Sequence, residues 1–298
     1  MKKKIFSILL GLVIILMNIP AAAYADTGPK PSVVIDFKGL ENEKYFVTLL
    51  SEVPSTGPHS ALGEHDNNQR YHKGDGHFDI WEKFLSYKDK DGYYFLQYFS
   101  ECTETSQFRW GYYPPPKFKI LIYFPTYDKF VVSEEVYERY AFDSYYKVDA
   151  KGLEIQSVTG TEQLKAVKSY DYKWEMLSLF TRIIITIIVE ILIALLFGFR
   201  AKKQLLLIGA VNIITQSLLN VMLNIINYKQ GSMMFVFNYV WMEVLVFIIE
   251  AAAYSVFLNK YSTLNAIKKW RIPMYALTAN AVSFIIGLFI VSIIPGIF

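Results

Sequence analysis

The chain has 298 residues, of which 53% are hydrophobic, so it has room for one soluble domain and a membrane domain. Its formal net charge is +3, and cleavage of a signal peptide containing Lys2, Lys3 and Lys4 would leave 27 basic and 27 acidic residues. Nothing in that balance indicates a nucleic-acid partner, which would require a basic face. The single cysteine, Cys102, excludes an intramolecular disulfide.

The first 25 residues have the pattern of a secretory signal peptide. Three lysines precede an apolar run from Ile5 to Met17, and Ala23-Tyr24-Ala25 matches the small-residue motif of a cleavage site. The sequence therefore predicts that residues from 26 onward are exported. An uncleaved N-terminal anchor is the alternative.

Residues 26–148 predict a mainly-β extracytoplasmic domain. Apolar side chains alternate along Ser32–Lys38 and along residues 118–124, which is typical of half-buried strands. Further strands are predicted at 45–50, 93–99, 129–132 and 142–148, and a helix at 78–87. This spacing favours an antiparallel sandwich-like arrangement, with an immunoglobulin-like one as an architectural guess. Residues 149–176 predict a polar tether.

Residues 177–298 predict a bundle of four transmembrane helices. Four apolar runs reach the roughly 20 residues that cross a bilayer, at 177–199, 204–226, 235–258 and 272–294. Seven basic residues follow the first and third runs, whereas only Lys229 follows the second. The positive-inside rule then predicts a multi-pass cell-membrane protein whose N-terminal domain and C-terminus are extracytoplasmic. Trp270 and Tyr275 are predicted to mark a membrane interface.

Polar residues recur inside these apolar runs, where lipid should exclude them. The candidates are Glu190, Asn212, Thr215, Gln216, Asn220, Asn224, Glu243, Glu250 and Asn280. A carboxylate at the centre of a bilayer costs about 2.5–3.5 kcal/mol, and no basic residue is placed deep enough in sequence to neutralise the glutamates. We therefore expect the glutamates to be protonated or to bind a cation. The alternative is that the polar residues only join the helices by hydrogen bonds, and this is favoured for the asparagines.

All four histidines lie within one short segment that is rich in glycine and acidic residues. They are His59, His65, His72 and His77. Imidazole and carboxylate groups suit zinc, but these spacings match no ligand pattern. A solvated loop is the favoured interpretation, and a metal site is the alternative.

The absence of known motifs narrows the range of possible functions. The sequence has no Walker A loop, no histidine in a predicted span and no aspartate in the membrane half. These absences exclude a transporter ATPase, an intramembrane zinc protease and an intramembrane aspartyl protease. With no catalytic or cofactor motif, we expect a non-enzymatic surface membrane protein.

We expect this protein to act as a sensor, scaffold or accessory subunit. Its outer domain would bind an extracellular ligand or a partner membrane protein, and its bundle would contact membrane lipid. The alternative is a small proton- or cation-coupled transporter that uses the intramembrane carboxylates.

Several segments carry a resemblance to other proteins. They are Phe197-Gly198-Phe199-Arg200, Val211-Asn212-Ile213-Ile214-Thr215-Gln216, Glu243, Glu250-Ala251, Gly28-Pro29-Lys30-Pro31-Ser32 and the region 137–146. In these segments the chain resembles a group of bacterial membrane proteins, chiefly from Firmicutes. The resemblance implies a signal peptide, an extracytoplasmic domain and four C-terminal transmembrane helices. It implies no activity, because none is known for that group.

Overall fold

The computed structural model describes residues 28–63, 68–151, 153, 164–261, 268 and 270–293. The predicted signal peptide over 1–25 lies outside these residues. The chain divides into two compact units, one built mainly from Pro29–Tyr170 and the other from Asp171–Asn227 and Ser232–Phe298. Each unit is described by itself below.

The first unit contains two β-sheets in its described part. The strands are β1 (Ser32–Lys38), β2 (Phe46–Ser51), β3 (Tyr94–Phe95), β4 (Ser100–Glu101), β5 (Gln107–Trp110), β6 (Lys117–Phe124), β7 (Lys129–Val132), β8 (Tyr137–Glu138), β9 (Asp143–Asp149) and β10 (Ala166–Lys168). One sheet has the order β10–β9–β1–β5. The other has the order β3–β2–β6–β7, with β4 also paired to β2 and β8 to β6. This arrangement confirms the prediction of a mainly-β domain.

The main core lies between the two sheets. Val33 and Ile35 of β1 and Ile120 and Ile122 of β6 are fully buried in one cluster, together with Trp110 of β5. These residues alternate along their strands, and successive side chains of a strand point to opposite faces. The inward faces predicted for Ser32–Lys38 and for residues 118–124 are therefore confirmed.

The second sheet also buries its other face, against the short helix α1 (Phe78–Ser86). Trp81 and Phe84 of α1 pack in a second cluster with Phe46 and Leu121 of the sheet. The helix was predicted at 78–87, and the structure has it at Phe78–Ser86. Because β6 is covered on both faces, it is almost completely buried along its length.

One expectation about this unit is wrong. The sandwich was predicted to be antiparallel, but β1 pairs with β9 in parallel, with Ser32 opposite Asp143 and Lys38 opposite Asp149. In the segment predicted as a polar tether, β10 pairs with β9 and the following helix begins at Tyr172. Periodicity could not reveal β10, because three residues are too few for a pattern.

Strand β6 of the second sheet contains a buried lysine, Lys119. Lys119 is only 1% exposed, and its amine contacts the carboxylates of Asp89 and Asp91 and lies 4.9 Å from the centre of the Tyr93 ring. The Asp89 side chain is fully buried and bonds Lys119 Nζ at 2.9 Å. A buried charge of this kind is tolerated only with a partner, so Lys119 fixes the turn that carries both aspartates.

His59 is also buried in this unit. It is 6% exposed, its ring lies 4.9 Å from that of Trp110, and its Nδ1 is 2.8 Å from Arg70 Nη1. Burial, aided by the positive Arg70, lowers the pKa of His59 to about 4. The folded domain therefore holds this imidazole in its neutral form.

The second unit is helical. Its described helices are α2 (Tyr172–Leu196), α3 (Lys202–Gln230), α4 (Ser232–Phe257, continued by a 3₁₀ turn at Leu258–Tyr261) and α5 (Arg271–Ile293). The Asp171 carboxylate caps α2 by accepting from the Trp174 amide. The helix ends where Gly198 adopts a φ of 78°, a left-handed conformation that glycine takes without strain.

Three segments, Tyr172–Leu196, Lys202–Gln230 and Ser232–Tyr261, are long and apolar enough to cross a membrane. Their outward surfaces carry large apolar side chains such as Phe180, Ile188 and Leu206, each more than half exposed. Water would disfavour such surfaces, whereas lipid accepts them. Helix α5 packs against α2 and α4. That α5 also crosses a membrane stays a prediction.

Replacing Lys119 by methionine should destabilise the outer unit by about 3–5 kcal/mol, because the buried Asp89 carboxylate would lose its cation. Urea unfolding of the full-length protein in detergent, followed by tryptophan fluorescence, measures this change. Lys83→Met is the matched control, because the Lys83–Asp128 pair is exposed and should contribute little. Equal effects of the two substitutions would contradict a structural role for the buried pair.

The stability of the outer unit should fall as the pH falls from 6.5 to 4. Unfolded His59 takes up a proton near pH 6.5, whereas folded His59 stays neutral until about pH 4, so acid favours the unfolded chain. The stabilisation is complete above pH 6.5, and about 3 kcal/mol of it is lost by pH 4. Comparing the free energy of unfolding of wild type and His59→Gln across this range isolates the effect. The exposed His72 gives the control, since His72→Gln should keep the wild-type pH dependence.

Candidate functional site

The helical unit brings its polar candidates together in its interior. Glu190 of α2 is fully buried, and Asn212 Nδ2 of α3 donates to Glu190 Oε2 at 2.7 Å. The same Asn212 nitrogen is 3.0 Å from Tyr254 Oη of α4. Tyr275 of α5 donates to the main-chain oxygen of Glu190 at 3.4 Å. One cluster of hydrogen bonds therefore links all four described helices.

Glu250 of α4 forms the centre of a second set of hydrogen bonds. Thr215 Oγ1 of α3 donates to Glu250 Oε1 at 2.6 Å, and Asn280 Nδ2 of α5 donates to Glu250 Oε2 at 2.8 Å. Glu250 is fully buried and Asn280 is 5% exposed. Both oxygens of this carboxylate thus accept from neutral groups on neighbouring helices.

The two carboxylates accept hydrogen bonds from Asn212 and Thr215, which lie three residues apart on α3. Among the described residues, no basic side chain acts on Glu190 or Glu250. Two unpaired carboxylates in an apolar interior are not stable as anions, because desolvation costs several kcal/mol for each. A bound proton or a bound cation must therefore neutralise at least part of this charge.

Several oxygen atoms of this cluster could receive that proton or cation. Glu190 Oε1, Asn212 Oδ1 and Asn280 Oδ1 are buried and have no hydrogen-bond partner among the described residues. Carboxylate and amide oxygens are hard ligands that suit protons, water and small hard cations rather than soft metals. The arrangement can bind and release a positive charge within the bundle.

A separate cleft surrounds Glu243, the third glutamate. The cleft is narrow and is lined by Arg182, Ile185, Thr186, Gln216, Asn220, Tyr239, Glu243, Ser283 and Gly287. The Tyr239 side chain hydrogen bonds to Glu243. Glu243 is only half-buried, in contrast to Glu190 and Glu250.

The predicted polar residues of α3 are divided between these two sites. Asn212 and Thr215 serve the two buried carboxylates, whereas Gln216 and Asn220 line the cleft. Asn224 accepts from Arg182 Nη2 at 3.1 Å. Hydrogen bonding between helices, the alternative interpretation, is therefore also part of what these residues do.

Two participants, Arg182 and Tyr275, were not among the predicted site residues. Arg182 was judged too near the end of its helix to matter, but it is buried and lines the cleft. Tyr275 was predicted at the membrane interface, but its side chain is fully buried and contacts Tyr254, with ring centres 5.5 Å apart. The spacing of Tyr275, Ala279 and Asn280 on one helical face contains a signal that could have placed Tyr275 inside.

The histidines do not form a metal site in the part of the chain that the structure describes. His59 is buried against Arg70, and the side chain of His72 is 73% exposed. His77 lies 3.9 Å from Glu101, and His65 falls outside the described residues. No three His, Cys, Asp or Glu side chains among the described residues are grouped so as to hold a metal ion.

Comparison with protein-family models, with curated proteins and with solved structures finds no match. The resemblance to the Firmicutes membrane proteins therefore stays a prediction.

Thr215→Val should destabilise the helical unit by about 1–3 kcal/mol, because the buried Glu250 Oε1 would lose its hydroxyl donor without any change of side-chain shape. Thr181→Val is the matched control: the Thr181 hydroxyl bonds only to the main-chain oxygen of Leu177 in its own helix. Unfolding in detergent with increasing dodecyl sulfate, followed by circular dichroism, compares the two variants. A Thr215 effect no larger than the Thr181 effect would argue against the Glu250 contact.

Proposed function

We propose that the protein is a multi-pass membrane protein that carries protons or a small cation across the bilayer by exchange at Glu190 and Glu250. The observation that supports this proposal is the pair of fully buried carboxylates whose hydrogen-bond donors are all neutral. A purely structural bundle needs no such carboxylates, because carboxamides join helices without a charge to neutralise. Functional carboxylates inside membrane helices usually belong to proton or ion pathways.

The proposal includes the membrane topology read from the sequence. A signal peptide over 1–25 would export the β-rich unit, and α5 would form a fourth crossing after the three helices that are long and apolar enough. The junction between α3 and α4, with Lys229 in the last turn of α3, and the C-terminus would then be extracytoplasmic. The bundle would lie in lipid with its apolar side chains outward.

A second candidate is the role of sensor, scaffold or accessory subunit. It is supported by an open groove in the outer unit. The groove is lined by Glu52, Tyr93, Lys117, Val136, Tyr137, Glu138, Tyr146 and Lys168. Aromatic rings beside charges of both signs are typical of surfaces that bind peptides or polar ligands. A protein of this kind would bind through its outer unit and transport nothing.

Flux measurements in proteoliposomes separate the two candidates. With a pH gradient imposed and an internal pH-sensitive dye, or with a sodium or potassium gradient, the wild type should show flux of protons or of one cation above that of empty liposomes. The double variant Glu190→Gln/Glu250→Gln should lose at least about 90% of that flux, because neutral amides cannot exchange a proton and bind cations poorly.

The control for charge is Glu104→Gln, which alters an exposed residue of the outer unit and should leave the flux unchanged. Wild-type protein that gives no flux of protons, sodium or potassium would overturn the transport proposal and favour the sensor or scaffold. Flux that survives the double substitution would show that another path carries the ion.

A further inference from the structure

The cleft around Glu243 has groups of both charges on its walls. Arg182 of α2 brings a guanidinium, whose five N–H donors suit anionic oxygens, and Glu243 of α4 brings a carboxylate that suits an ammonium group. Asn220, Gln216 and Tyr239 add neutral polar groups between them. Clefts that bind small polar ligands combine charged groups with neutral donors in this way.

Two atoms on these walls lack hydrogen-bond partners within the described residues. Gln216 is only 3% exposed, and its Nε2 donates to no acceptor, although its Oε1 is 3.4 Å from Asn220 Nδ2. Glu243 Oε2 is buried and accepts from no donor. A buried polar atom without a partner costs about 1–3 kcal/mol, so a ligand that satisfies both atoms would gain from binding here.

A glycine keeps the cleft open at its α5 wall. A Cβ atom on Gly287 would come within 2.9 Å of Tyr239 Oη, which is closer than van der Waals contact allows. Any larger residue at 287 would therefore displace the Tyr239 hydroxyl from its position beside Glu243. The absence of a side chain at Gly287 therefore leaves the Tyr239 hydroxyl in place on the wall of the cleft.

We propose that this cleft binds a small zwitterion, with its ammonium group on Glu243 and Tyr239 and its anionic group on Arg182 and Gln216. The ligand would be either a free amino acid or the headgroup of phosphatidylethanolamine, which share a primary ammonium and an anionic oxygen group. For a free amino acid, the inference rests on the proposed transport function and names the solute that would be carried with the proton or cation. Glu250, seven residues after Glu243 on the same helix face, would connect this cleft with the buried carboxylates.

The first arm of the test measures equilibrium binding to full-length protein in phosphatidylglycerol nanodiscs, with no ion gradient. Isothermal titration uses glycine, L-alanine and L-leucine as probes, and acetate and ethylammonium as ligands that carry one charge only. At least one amino acid should bind roughly 10- to 150-fold more tightly than either single-charge ligand, since each lacks one charged hydrogen bond. Glu243→Gln should weaken amino-acid binding by a similar factor.

The second arm tests the lipid source. Protein reconstituted in mixed phosphatidylglycerol and phosphatidylethanolamine is purified, and the retained lipid is identified by mass spectrometry. Wild type should retain phosphatidylethanolamine preferentially if the headgroup is the ligand, and Glu243→Gln should lose that preference. A positive result in either arm supports zwitterion binding in the cleft and shows whether the ligand is a free amino acid or a lipid headgroup.

Gly287→Ala provides a second variant that leaves all charges in place, and it should weaken binding by displacing Tyr239. Its matched control is Gly209→Ala, because a Cβ at Gly209 meets no atom within 4 Å. The zwitterion proposal is overturned if neither arm shows binding, or if Glu243→Gln and Gly287→Ala bind as wild type does. Ligand binding without ion flux would overturn the transport proposal and support the zwitterion site. Ion flux without ligand binding would support transport and overturn the zwitterion site.

Discussion

Two carboxylates enclosed by apolar helices place the strongest physical constraint on this protein. Glu190 and Glu250 cannot both be anions in so dry an environment, and each accepts hydrogen bonds from amides or hydroxyls on other helices. These bonds join α2, α3, α4 and α5 to one another. The polar groups whose burial destabilises the bundle therefore also determine how its helices pack. The bundle therefore gains specificity from the same residues that require neutralisation.

The positions of these residues were readable from the sequence, because polar groups in apolar runs are conspicuous and helical spacing assigns them to faces. Their pairing was not readable. Periodicity gives a face but not the partner helix, so it could not show that Asn212 serves Glu190 whereas Thr215, three residues later, serves Glu250. Arg182 and Tyr275 were misjudged for a related reason, since a residue near the end of a helix can be either an interfacial anchor or a buried contact.

The outer unit shows the same division between local and non-local information. Alternation along β1 and β6 predicted which side chains enter the core, because that pattern depends on a single strand. The parallel partner of β1, the three-residue strand β10 and the ion pairs of Lys119 depend on segments distant in sequence. A lysine within the apolar run 117–124 did not reveal by itself that two aspartates some 30 residues earlier would meet it.

The parallel pairing of β1 with β9 has a consequence for how the outer unit is made. Strand β1 is the first to leave the ribosome, yet its central position in the sheet is completed only when Asp143–Asp149 has been synthesised. The edge of β1 that pairs with β9 has no partner until then, although the other edge can already pair with β5. Contacts of such long range form slowly, so the completion of this sheet waits for a strand more than a hundred residues further along the chain.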